Sequence, residues 1–516
     1  MSETGARKWI ITITVILASV IELIDTSIVN VALPQMMGNL GATLDEVAWV
    51  VTAYVVANVI VVPMTGWFSA LFGRRNYFAG SIVLFTLASF FCGHATGIWE
   101  LVVFRFIQGV GGGALLSTSQ SILVETFPPE ELGLANGLFG LGVVVGPTIG
   151  PTLGGWITDN YSWPWIFYVN IPIGIVAALL TFAFIRDPKE KRLVGSVDWW
   201  GIGLLVAGIG SLQVVLERGE REDWFSAAYI TILAVVAVIG IAGFIWRELA
   251  AEHPIVDLRV LKDRSLAVGT LFTFILGFGL YSSVFIFPVF AQNLLGFTAM
   301  QTGLILLPGG MATAVMMPVV GKLMQKGFPP QVMNALGFIS FFGFTTLLSH
   351  STLASGTHDF FWPLILRGVG LGLLFVPLTT LALSNLRGKD IPQGAGLTNM
   401  MRQLGGSFGV ALVATFIQHR SATHRQNLLT HVSIYDFALR QRLASITKSF
   451  LGKGSTLFEA RRQAQGAIEG MVARQTFLLT YMDAFRIVGI FFLLCIPLLL
   501  LFKRGSRNRG PAAPVH

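Results

Sequence analysis

The chain has 516 residues, of which 53% are hydrophobic and 12% are charged, and its mean hydropathy is +0.70. A soluble protein carries about twice that fraction of charged residues, so the composition excludes an ordinary soluble enzyme. Apolar runs of about 20 residues, long enough to cross a hydrocarbon core of about 30 Å, recur along nearly the whole sequence. The sequence therefore predicts an all-α polytopic membrane protein.

Fourteen apolar stretches are predicted to span the membrane. The first follows Arg7 and Lys8, is long enough to span, and lacks a small-residue cleavage site before Asp25, so we expect no cleavable signal peptide. The approximate limits of the fourteen spans are 9–33, 46–68, 77–96, 99–121, 134–156, 165–185, 199–216, 228–248, 267–290, 301–321, 332–349, 361–384, 396–419 and 480–502.

The net charge of +8 reflects membrane topology. With the N-terminus inside, basic clusters at 74–75, 186–192, 247–264 and 503–509 all lie on the inner side, whereas the short outer loops hold only Arg218 and Arg221. Cytoplasmic segments of membrane proteins carry such an excess of Lys and Arg. We therefore expect both termini in the cytoplasm and no nucleic-acid partner.

An internal repeat divides the chain. Pro63 and Gly66 lie at the end of span 2, and Pro318 and Gly321 lie with the same spacing at the end of span 10. In addition, an arginine followed by several glycines occurs in span 4 (Arg105) and again in span 12 (Arg367). The offset of eight spans predicts a six-helix half at 1–190, two inserted spans and a linker at 191–265, and a second six-helix half at 266–516. Transporters built from parallel repeats bind substrate between the halves, which rock against each other.

One connection, 420–478 on the outer side, is much longer than the others. Leu439, Leu443, Ile446 and Phe450 form an apolar stripe, and a second, polar helix at about 456–477 leads into the last span. A loop of this length with helices of its own is usually functional or disordered. A docking surface for a partner and a helix at the outer membrane interface are both open interpretations.

Two acids inside the first span, on a helix that we expect to end at Pro34, indicate proton handling. Glu22 and Asp25 lie on one helix face, and a charge at the bilayer centre costs about 3 kcal/mol on insertion scales, so such residues usually serve function. Burial disfavours the charged form of a carboxyl group, which lets it exchange a proton. Arg105 cannot lose its charge and needs a partner at membrane depth, either of these acids or backbone carbonyls. We predict that Asp25, Glu22 and Arg105 couple the protein to protons.

Span 5 is dense in glycine and proline. Its residues Gly146, Pro147, Gly150, Pro151, Gly154 and Gly155 suit a closely packed, bendable helix at a rocking interface, or ordinary close packing. No glycine-rich segment follows a strand and no Walker lysine motif exists, so nucleotides are not expected as an energy source or cofactor. No catalytic triad, metal cluster or other cofactor site is apparent, so an enzyme is not predicted.

Two weaker patterns remain. His419, His424 and His431 cluster beyond span 13, where a metal or pH-sensing site is less common than three solvated loop histidines. Aromatic residues of the second half are candidates for lining an apolar pocket, although most of the 40 Phe must face lipid or other helices. These candidates are Tyr281, Phe285, Phe287, Phe341, Phe342 and Phe344.

Several motifs carry a specific likeness to a known family. The segments LIDTSIVNVALP at 23–34, GWFSALFGRR at 66–75, Arg105 with Gln108, and the glycine-proline element of span 5 resemble motifs of the major facilitator superfamily. The segment DNYSWPWIFYVNIPIG at 159–174, with Gln213, 223–226 and 254–258, is similar to the fourteen-span drug:proton antiporters. The likeness covers nearly the whole chain.

The resemblance implies a major facilitator fold of two six-helix bundles plus two inserted helices. It also implies export of hydrophobic or cationic drugs in exchange for protons across a bacterial inner membrane, together with an EmrA-like periplasmic adaptor and an outer-membrane channel. We assign the substrate cavity to Glu22, Asp25, Gln108, Gln120, Tyr281, Phe285 and Asn399. The gating and packing motif comprises Gly66, Gly73, Arg74, Arg75, Gly146, Pro147, Gly150, Pro151, Gly154 and Gly155.

Two positions depart from the family pattern. Ala70 stands where the loop after span 2 usually has an acid, so the charge relay of that loop is in question. Glu22 is additional to the family's acid, which matches Asp25, and we expect it to tune proton stoichiometry or to favour cationic substrates. Alternative functions are export of an endogenous metabolite, lipid or siderophore, and a non-transporting membrane sensor or scaffold.

Overall fold

The computed structural model of the chain describes residues 5–128, 131–187, 197–388, 390–430, 432–433 and 435–501, without the side chains of 141, 144, 145, 148 and 299. The apolar stretches form helices because a helix satisfies every backbone N–H and C=O internally, as lipid requires. The first half contains α1 (Ala6–Leu40), α2 (Leu44–Val61), α3 (Thr65–Phe72), α4 (Arg74–His94), α5 (Ile98–Thr126), α6 (Leu132–Asn160), α7 (Trp165–Tyr168) and α8 (Asn170–Phe184).

The rest of the chain is also helical wherever it forms regular structure in the described residues. A π-helical segment, Val206–Gly210, joins α9 to α10. The helices are α9 (Trp199–Leu205), α10 (Ser211–Arg218), α11 (Ala228–Ala250), α12 (Arg264–Asn293), α13 (Ala299–Gln325), α14 (Pro330–Leu348), α15 (Thr357–Leu383), α16 (Asp390–Thr430), α17 (Phe437–Leu451) and α18 (Leu457–Leu494).

Thirteen helical stretches in the described residues are long and apolar enough to cross a membrane. They coincide with thirteen of the spans predicted from hydropathy, and the remaining predicted span, 134–156, lies within the 29-residue helix α6. The protein is therefore a multi-pass membrane protein. The total of fourteen spans, the limits of the two halves and the side on which the termini lie stay predictions, and the boundary at 190 and 191 falls outside the described residues.

The prediction that the first helix ends at Pro34 is wrong. Helix α1 continues through Pro34 to Leu40, where Gly41 in the left-handed conformation closes it. A proline removes only one backbone hydrogen bond, and membrane helices tolerate it because neighbouring groups satisfy the freed carbonyl. Asp25 therefore lies in the middle of a continuous 35-residue helix.

The two halves meet at the end of the bundle where Ala6 and Leu501 lie, which we call the terminal end. Here Asn136 Nδ2 donates to Thr380 Oγ1 at 3.1 Å. A Cβ added at Gly396 of α16 would lie 3.0 Å from the carbonyl oxygen of Val62, so the backbone of α16 is in close contact with the backbone at Val62. Glycine permits this approach, and the interface is tightly closed at the terminal end.

Glycines on two faces of α6 allow it to pack closely against α13 of the second half and against α1 of its own half. Gly133 and Gly137 approach Gly321 and Met317 of α13 at backbone distance. The glycines of the family motif lie on another face: a Cβ at Gly146 would lie 2.7 Å from Leu23 Cβ, and one at Gly154 would lie 2.8 Å from Ile28 Cγ1, both on α1. The motif glycines thus pack against the helix that carries Asp25, within the same half.

The long connection at 420–478 is mostly helical, and we call it the extension. As predicted, α17 carries the apolar stripe. The polar helix at 456–477 is also continuous with the last span, and together they form α18. Helix α18 has 38 residues and is therefore about 57 Å long, nearly twice a hydrocarbon core of about 30 Å. Several turns of α16 and α18 consequently project beyond the membrane at the end opposite the terminal end, which we call the extension end.

Aromatic side chains fill the core of the second half. Phe341 stacks on Phe492 with ring centroids 4.2 Å apart, and Phe287 contacts Phe360 edge-to-face at 5.3 Å. Phe287, Phe341 and Phe344 are fully buried. In this conformation the three side chains are packed into the core, Phe341 against Phe344 and Phe492, and Phe287 against Phe360. Their assignment to an apolar pocket stays a prediction.

Candidate functional site

Asp25 lies at the centre of a buried polar network. Its Oδ2 accepts a hydrogen bond from Arg105 Nη1 at 2.5 Å, and its Oδ1 accepts from Gln108 Nε2 at 3.0 Å and from Asn170 Nδ2 at 2.9 Å. Both amides also donate to Ser89 Oγ. Helices α1, α4, α5 and α8 each contribute to this site, and Asp25 is 0% exposed.

Arg105 is held by three further groups. Its Nε donates to the carbonyl oxygen of Val50 at 3.2 Å, its Nη1 also donates to Gln108 Oε1 at 2.6 Å, and its guanidinium lies 4.1 Å from the centroid of the Tyr54 ring. The predicted partnership of Arg105 with an acid of the first helix is thus present, and the acid is Asp25. The alternative of carbonyls alone does not apply.

This geometry permits two states of the pair. A buried ion pair is stable only while both charges and their hydrogen bonds are present, and removing one partner costs about 3–5 kcal/mol. A proton on Asp25 removes one charge and weakens its hold on Arg105. Proton binding can therefore displace a side chain that connects α1 to α2 and α5.

Glu22 has different surroundings, although it lies on the same face of α1. Its Oε1 accepts from Asn58 Nδ2 at 3.0 Å, and its Oε2 has no hydrogen-bond partner although it is buried. The guanidinium of Arg402, on α16 of the other half, acts on this carboxyl group electrostatically without forming an ion pair within 4 Å. Glu22 and Asp25 are thus two separate sites.

A polar bridge joins the halves beside Glu22. Asn399 Nδ2 donates to Gln120 Oε1 at 2.6 Å, and Arg402 Nη2 donates to Asn399 Oδ1 at 2.8 Å. Tyr281 of α12 interacts with Arg402, whose Nη1 is buried without a hydrogen-bond partner. Of the residues assigned to a cavity, Gln120, Asn399, Tyr281 and Glu22 therefore come together at the interface between halves.

The other three cavity assignments have different positions, and Asp25 lies in its own buried network. Gln108 is fully buried in the Asp25 network, where it orients both members of the ion pair. Phe285 is half-buried and packs against the hydrophobic core of the second half. In this conformation Glu22, Asp25, Gln108, Gln120 and Asn399 are all buried.

The basic motif after span 2 closes the terminal end despite Ala70. Arg74 Nη2 donates to Glu125 Oε2 at 2.6 Å, and the backbone N–H of Arg75 donates to Asp187 Oδ1 at 2.8 Å. Gly73 has φ +82°, a left-handed conformation that favours glycine, and a Cβ there would lie 3.0 Å from Asp187. Gly66 lies against Gln393 of α16. The loop therefore has acidic partners without an acid at position 70.

The histidines do not form a cluster in the described residues. His424 Nε2 lies 2.8 Å from Asp483 Oδ2, His419 Nδ1 lies 2.9 Å from the carbonyl oxygen of Thr415, and His431 is outside the described residues. Across the part of the chain that the structure describes, no group of three or more His, Cys, Asp or Glu side chains is arranged to bind a metal ion.

Sequence reasoning missed three polar residues of these sites. Asn170 donates to Asp25, Ser89 accepts from the two amides that donate to Asp25, and Asn58 donates to Glu22. Asn170 lies inside the segment at 159–174 that resembles the drug:proton antiporters. The sequence therefore identified its motif but not its contact with Asp25. Asn58 and Ser89 are single polar residues in apolar helices, a signal too common to identify a site without geometry.

Comparisons with known proteins agree with this architecture. The sequence profile of the Major Facilitator Superfamily matches residues 15–410. The chain is 35% identical to the fatty acid resistance protein FarB of Neisseria gonorrhoeae over 98% of each chain, and 34% identical to the multidrug export protein EmrB of Escherichia coli K12 over 99% of this chain and 98% of EmrB.

A solved structure confirms the predicted fold. The human organic anion transporter MFSD10 superposes with a TM-score of 0.62 at 14% identity, covering 96% of this chain and all of that one. At this identity the likeness concerns the fold alone. The resemblance inferred from the motifs is confirmed: the chain belongs to the major facilitator superfamily of transporters and is similar to EmrB over nearly its whole length.

Proposed function

We propose that this protein is a proton-coupled multidrug exporter that works by alternating access. The observation that carries the proposal is the Asp25–Arg105 pair, a titratable charge and a permanent charge buried together in the middle of the first half. A transporter has a use for such a pair because proton binding changes its geometry, whereas a scaffold gains nothing from the insertion cost. The similarity to EmrB supports drugs as the substrates.

The driving force is sufficient for useful export. Moving one elementary charge through a potential of 100 mV is worth about 2.3 kcal/mol. At about 1.4 kcal/mol per tenfold change, one net charge moved per cycle sustains a drug gradient of roughly fifty-fold. No nucleotide is needed.

We assign the terminal end to the cytoplasm of a bacterial inner membrane. The basic residues Arg74, Arg75 and Arg264 lie at this end, as expected for cytoplasmic loops. The close contacts between α16 and residues 62–66 then form the closed cytoplasmic side. The conformation described is one in which drug cannot enter from the cytoplasm, and proton binding at Asp25 is the event that permits the return.

The extension is the proposed docking surface for a periplasmic adaptor, which in turn meets an outer-membrane channel. Large hydrophobic side chains are exposed at its turns, with Tyr435 83% and Phe458 77% exposed. Because α16 and α18 lift these turns clear of the bilayer, a protein partner accounts for their exposure better than contact with lipid. Of the two interpretations that the sequence left open, docking of a partner is therefore the one that we propose.

Removing the extension tests its role. We expect deletion of residues 425–470 to abolish co-purification with the adaptor and to leave proton-coupled transport in vesicles intact. Phe458→Ser should weaken co-purification, whereas Trp362→Ser, at an exposed position of α15 on the membrane-spanning bundle, should not. Full retention of the adaptor by the deletion variant would contradict docking here.

A drug-accumulation experiment tests the function. Inside-out vesicles containing the protein should accumulate hydrophobic dyes and drugs when an inward-acid gradient is imposed, and a protonophore should abolish the uptake. An exporter of an endogenous metabolite or lipid would show the same gradient dependence with its own substrate and no response to drugs. A sensor or scaffold would show neither, and that result would contradict transport altogether.

A further inference from the structure

Tyr54 on α2 contacts the Asp25–Arg105 pair and has a hydroxyl group without a partner. The guanidinium carbon of Arg105 lies 4.1 Å from the centroid of the Tyr54 ring. The side chain is 0% exposed, and its hydroxyl oxygen is buried without a hydrogen-bond partner. A buried hydroxyl is normally hydrogen-bonded, because burying it without a partner costs free energy. The two ends of this side chain therefore differ: the ring has a partner and the hydroxyl has none.

The hydroxyl lies at the Glu22 site. Tyr54 and Asn58 are four residues apart on α2 and so share a face of the helix. Their polar ends meet at Gly112 of α5, where an added Cβ would lie 2.5 Å from the Tyr54 hydroxyl oxygen and 3.3 Å from Asn58 Nδ2. The same Nδ2 donates to Glu22 Oε1 at 3.0 Å. Tyr54 thus extends from the ion pair to the amide that holds Glu22.

Glu22 has the complementary unsatisfied atom. Its Oε2 is an acceptor that is buried without a partner, and the Tyr54 hydroxyl is a donor in the same condition. Both groups adjoin Asn58, so a turn of the tyrosine side chain would let them satisfy each other. In this conformation the ring packs on Arg105, and Asp25 holds that arginine in place.

We propose that Tyr54 is a positioning residue that passes the effect of proton binding from Asp25 to Glu22, an arrangement that we call the Tyr54 link. When Asp25 takes a proton from water, its hold on Arg105 weakens and the guanidinium leaves the face of the ring. The Tyr54 side chain then turns, and its hydroxyl donates to Glu22 Oε2. Tyr54 keeps its own proton throughout, so the link transmits a change of position and not a proton.

This inference rests on the proposed function, because it describes how the same exporter transmits proton binding to the interface between its halves. Glu22 lies beside the polar bridge formed by Gln120, Asn399 and Arg402, whereas Asp25 is enclosed within the first half. A rearrangement at Glu22 can therefore change the contact between the halves directly. The Tyr54 link couples the proton site to that contact although the two share no residue.

The other titratable and charged groups around the two acids do not change their charge on acidification. Arginine is always charged, and tyrosine and cysteine are already neutral. Helix α8 faces Asp25 with the uncharged Asn170, and α6 packs against α1 with glycines. The groups concerned are Tyr54 on α2, Cys92 on α4, Arg105 on α5, Tyr281 on α12 and Arg402 on α16. A carboxylic acid signal from this region therefore reports Asp25 or Glu22.

Infrared titration of the detergent-purified protein tests the Tyr54 link without drug or gradient. The carboxylic acid C=O band of Asp25 is identified by its loss in Asp25→Asn, and its midpoint is followed with pH. The bond from Tyr54 to Glu22 forms only with a proton on Asp25, so it raises the proton affinity of Asp25. We expect Tyr54→Phe to lower the midpoint by about one pH unit, a tenfold loss of proton affinity. Tyr77→Phe, on α4 with a hydroxyl that is also buried without a partner, should leave the midpoint unchanged.

A second background shows whether the effect passes through Glu22. In Glu22→Leu, which has no acceptor at this position, Tyr54→Phe should shift the midpoint no further. A midpoint that Tyr54→Phe does not change, or an equal shift in the Glu22→Leu background, would overturn the proposal. An acid-minus-neutral difference spectrum of wild type without a tyrosine band would also overturn it, and that result needs no variant to fold.

The outcome for the Tyr54 link is separate from the outcome for transport. A protein that shows the expected shifts but exchanges no drug for protons contradicts the proposed function alone. A protein that exchanges drug for protons, and in which Asp25 titrates without regard to Tyr54, contradicts the Tyr54 link alone.

Discussion

Arg105 and Arg367 occupy matching places in the internal repeat, each followed by closely spaced glycines, yet their surroundings differ. Arg105 has Asp25, a glutamine, a carbonyl oxygen and the face of an aromatic ring. Arg367 has one serine hydroxyl on α12, the helix that corresponds to α1 in the repeat. The same architectural position therefore serves a neutral ion pair in one half and a net positive charge in the other.

The difference shows that one architectural position can carry either a neutralised or an unneutralised charge. In the proposed function, the half with the complete ion pair is the one that responds to a proton, because protonation breaks the pair. Within the described residues, Arg367 has no carboxylate beside its guanidinium. Substitutions at the two arginines should therefore have different effects on stability.

The largest expected effect is on stability. Arg105→Gln leaves Asp25 charged and buried without its partner, which should cost about 3–5 kcal/mol, and Asp25→Asn in the same chain should recover most of that loss. Arg367→Gln leaves no carboxylate unpaired and should be neutral or stabilising. Thermal unfolding in detergent measures both, and equal destabilisation by the two substitutions would contradict the comparison.

A second effect comes from the packing that positions Asp25. A methyl group at Gly154 would lie 2.8 Å from Ile28 on α1, whereas one at the neighbouring Gly155 would approach nothing closer than 3.9 Å. Overpacking of this kind costs about 1–3 kcal/mol, so Gly154→Ala should displace α1 and reduce drug-driven proton exchange roughly tenfold or more. Gly155→Ala is the matched control and should keep near wild-type exchange; similar losses in both variants would refute this reason for the motif.

A third change makes the second half resemble the first. Ser283→Asp places a carboxylate beside Arg367, in the role that Asp25 has beside Arg105. The new acid should neutralise Arg367 and raise the unfolding temperature in detergent, because pairing stabilises a buried charge. Ser283→Asn has a similar shape without the charge and should unfold near the wild-type temperature. Equal shifts in the two variants would show that shape, and not charge, matters here.

The smallest effect concerns the bridge between halves. Gln120→Ala and Asn399→Ala each remove a hydrogen bond that joins the halves, so their effects on unfolding temperature should not add. A double-mutant cycle should give a coupling of about 0.5–1.5 kcal/mol, the usual contribution of one hydrogen bond. Additive effects would show that the two amides do not act on each other in the membrane.

Much of the fold was predictable because the membrane restricts it. A continuous apolar run has one stable form in lipid, so hydropathy located the helices, and the matched residues around Gly66 and Gly321 revealed the repeat. The helix break at Pro34 was mispredicted because proline lowers helix propensity without ending a helix that lipid enforces. The extension was predicted to contain helices, but the continuity of α18 from Leu457 through the last span was not.

The sites were only partly predictable. A charged residue inside a membrane span costs free energy of insertion, so its presence indicates a function. For this reason the sequence alone was enough to single out Asp25, Glu22 and Arg105. Their pairing depends on distances between helices far apart in the chain, and so the separation of Glu22 from Asp25 and the contact of Asn170 with Asp25 needed the structure. The difference between Arg105 and Arg367 was likewise invisible in their nearly equal motifs.

The most direct test of the account is drug-induced proton movement in inside-out vesicles, followed with a pH-sensitive dye in wild type and Asp25→Asn. The account predicts that hydrophobic drugs dissipate the imposed gradient in wild type and not in the variant, while the variant stays folded and inserted. Dissipation that is unchanged in Asp25→Asn would contradict the assignment of proton coupling to the Asp25–Arg105 pair.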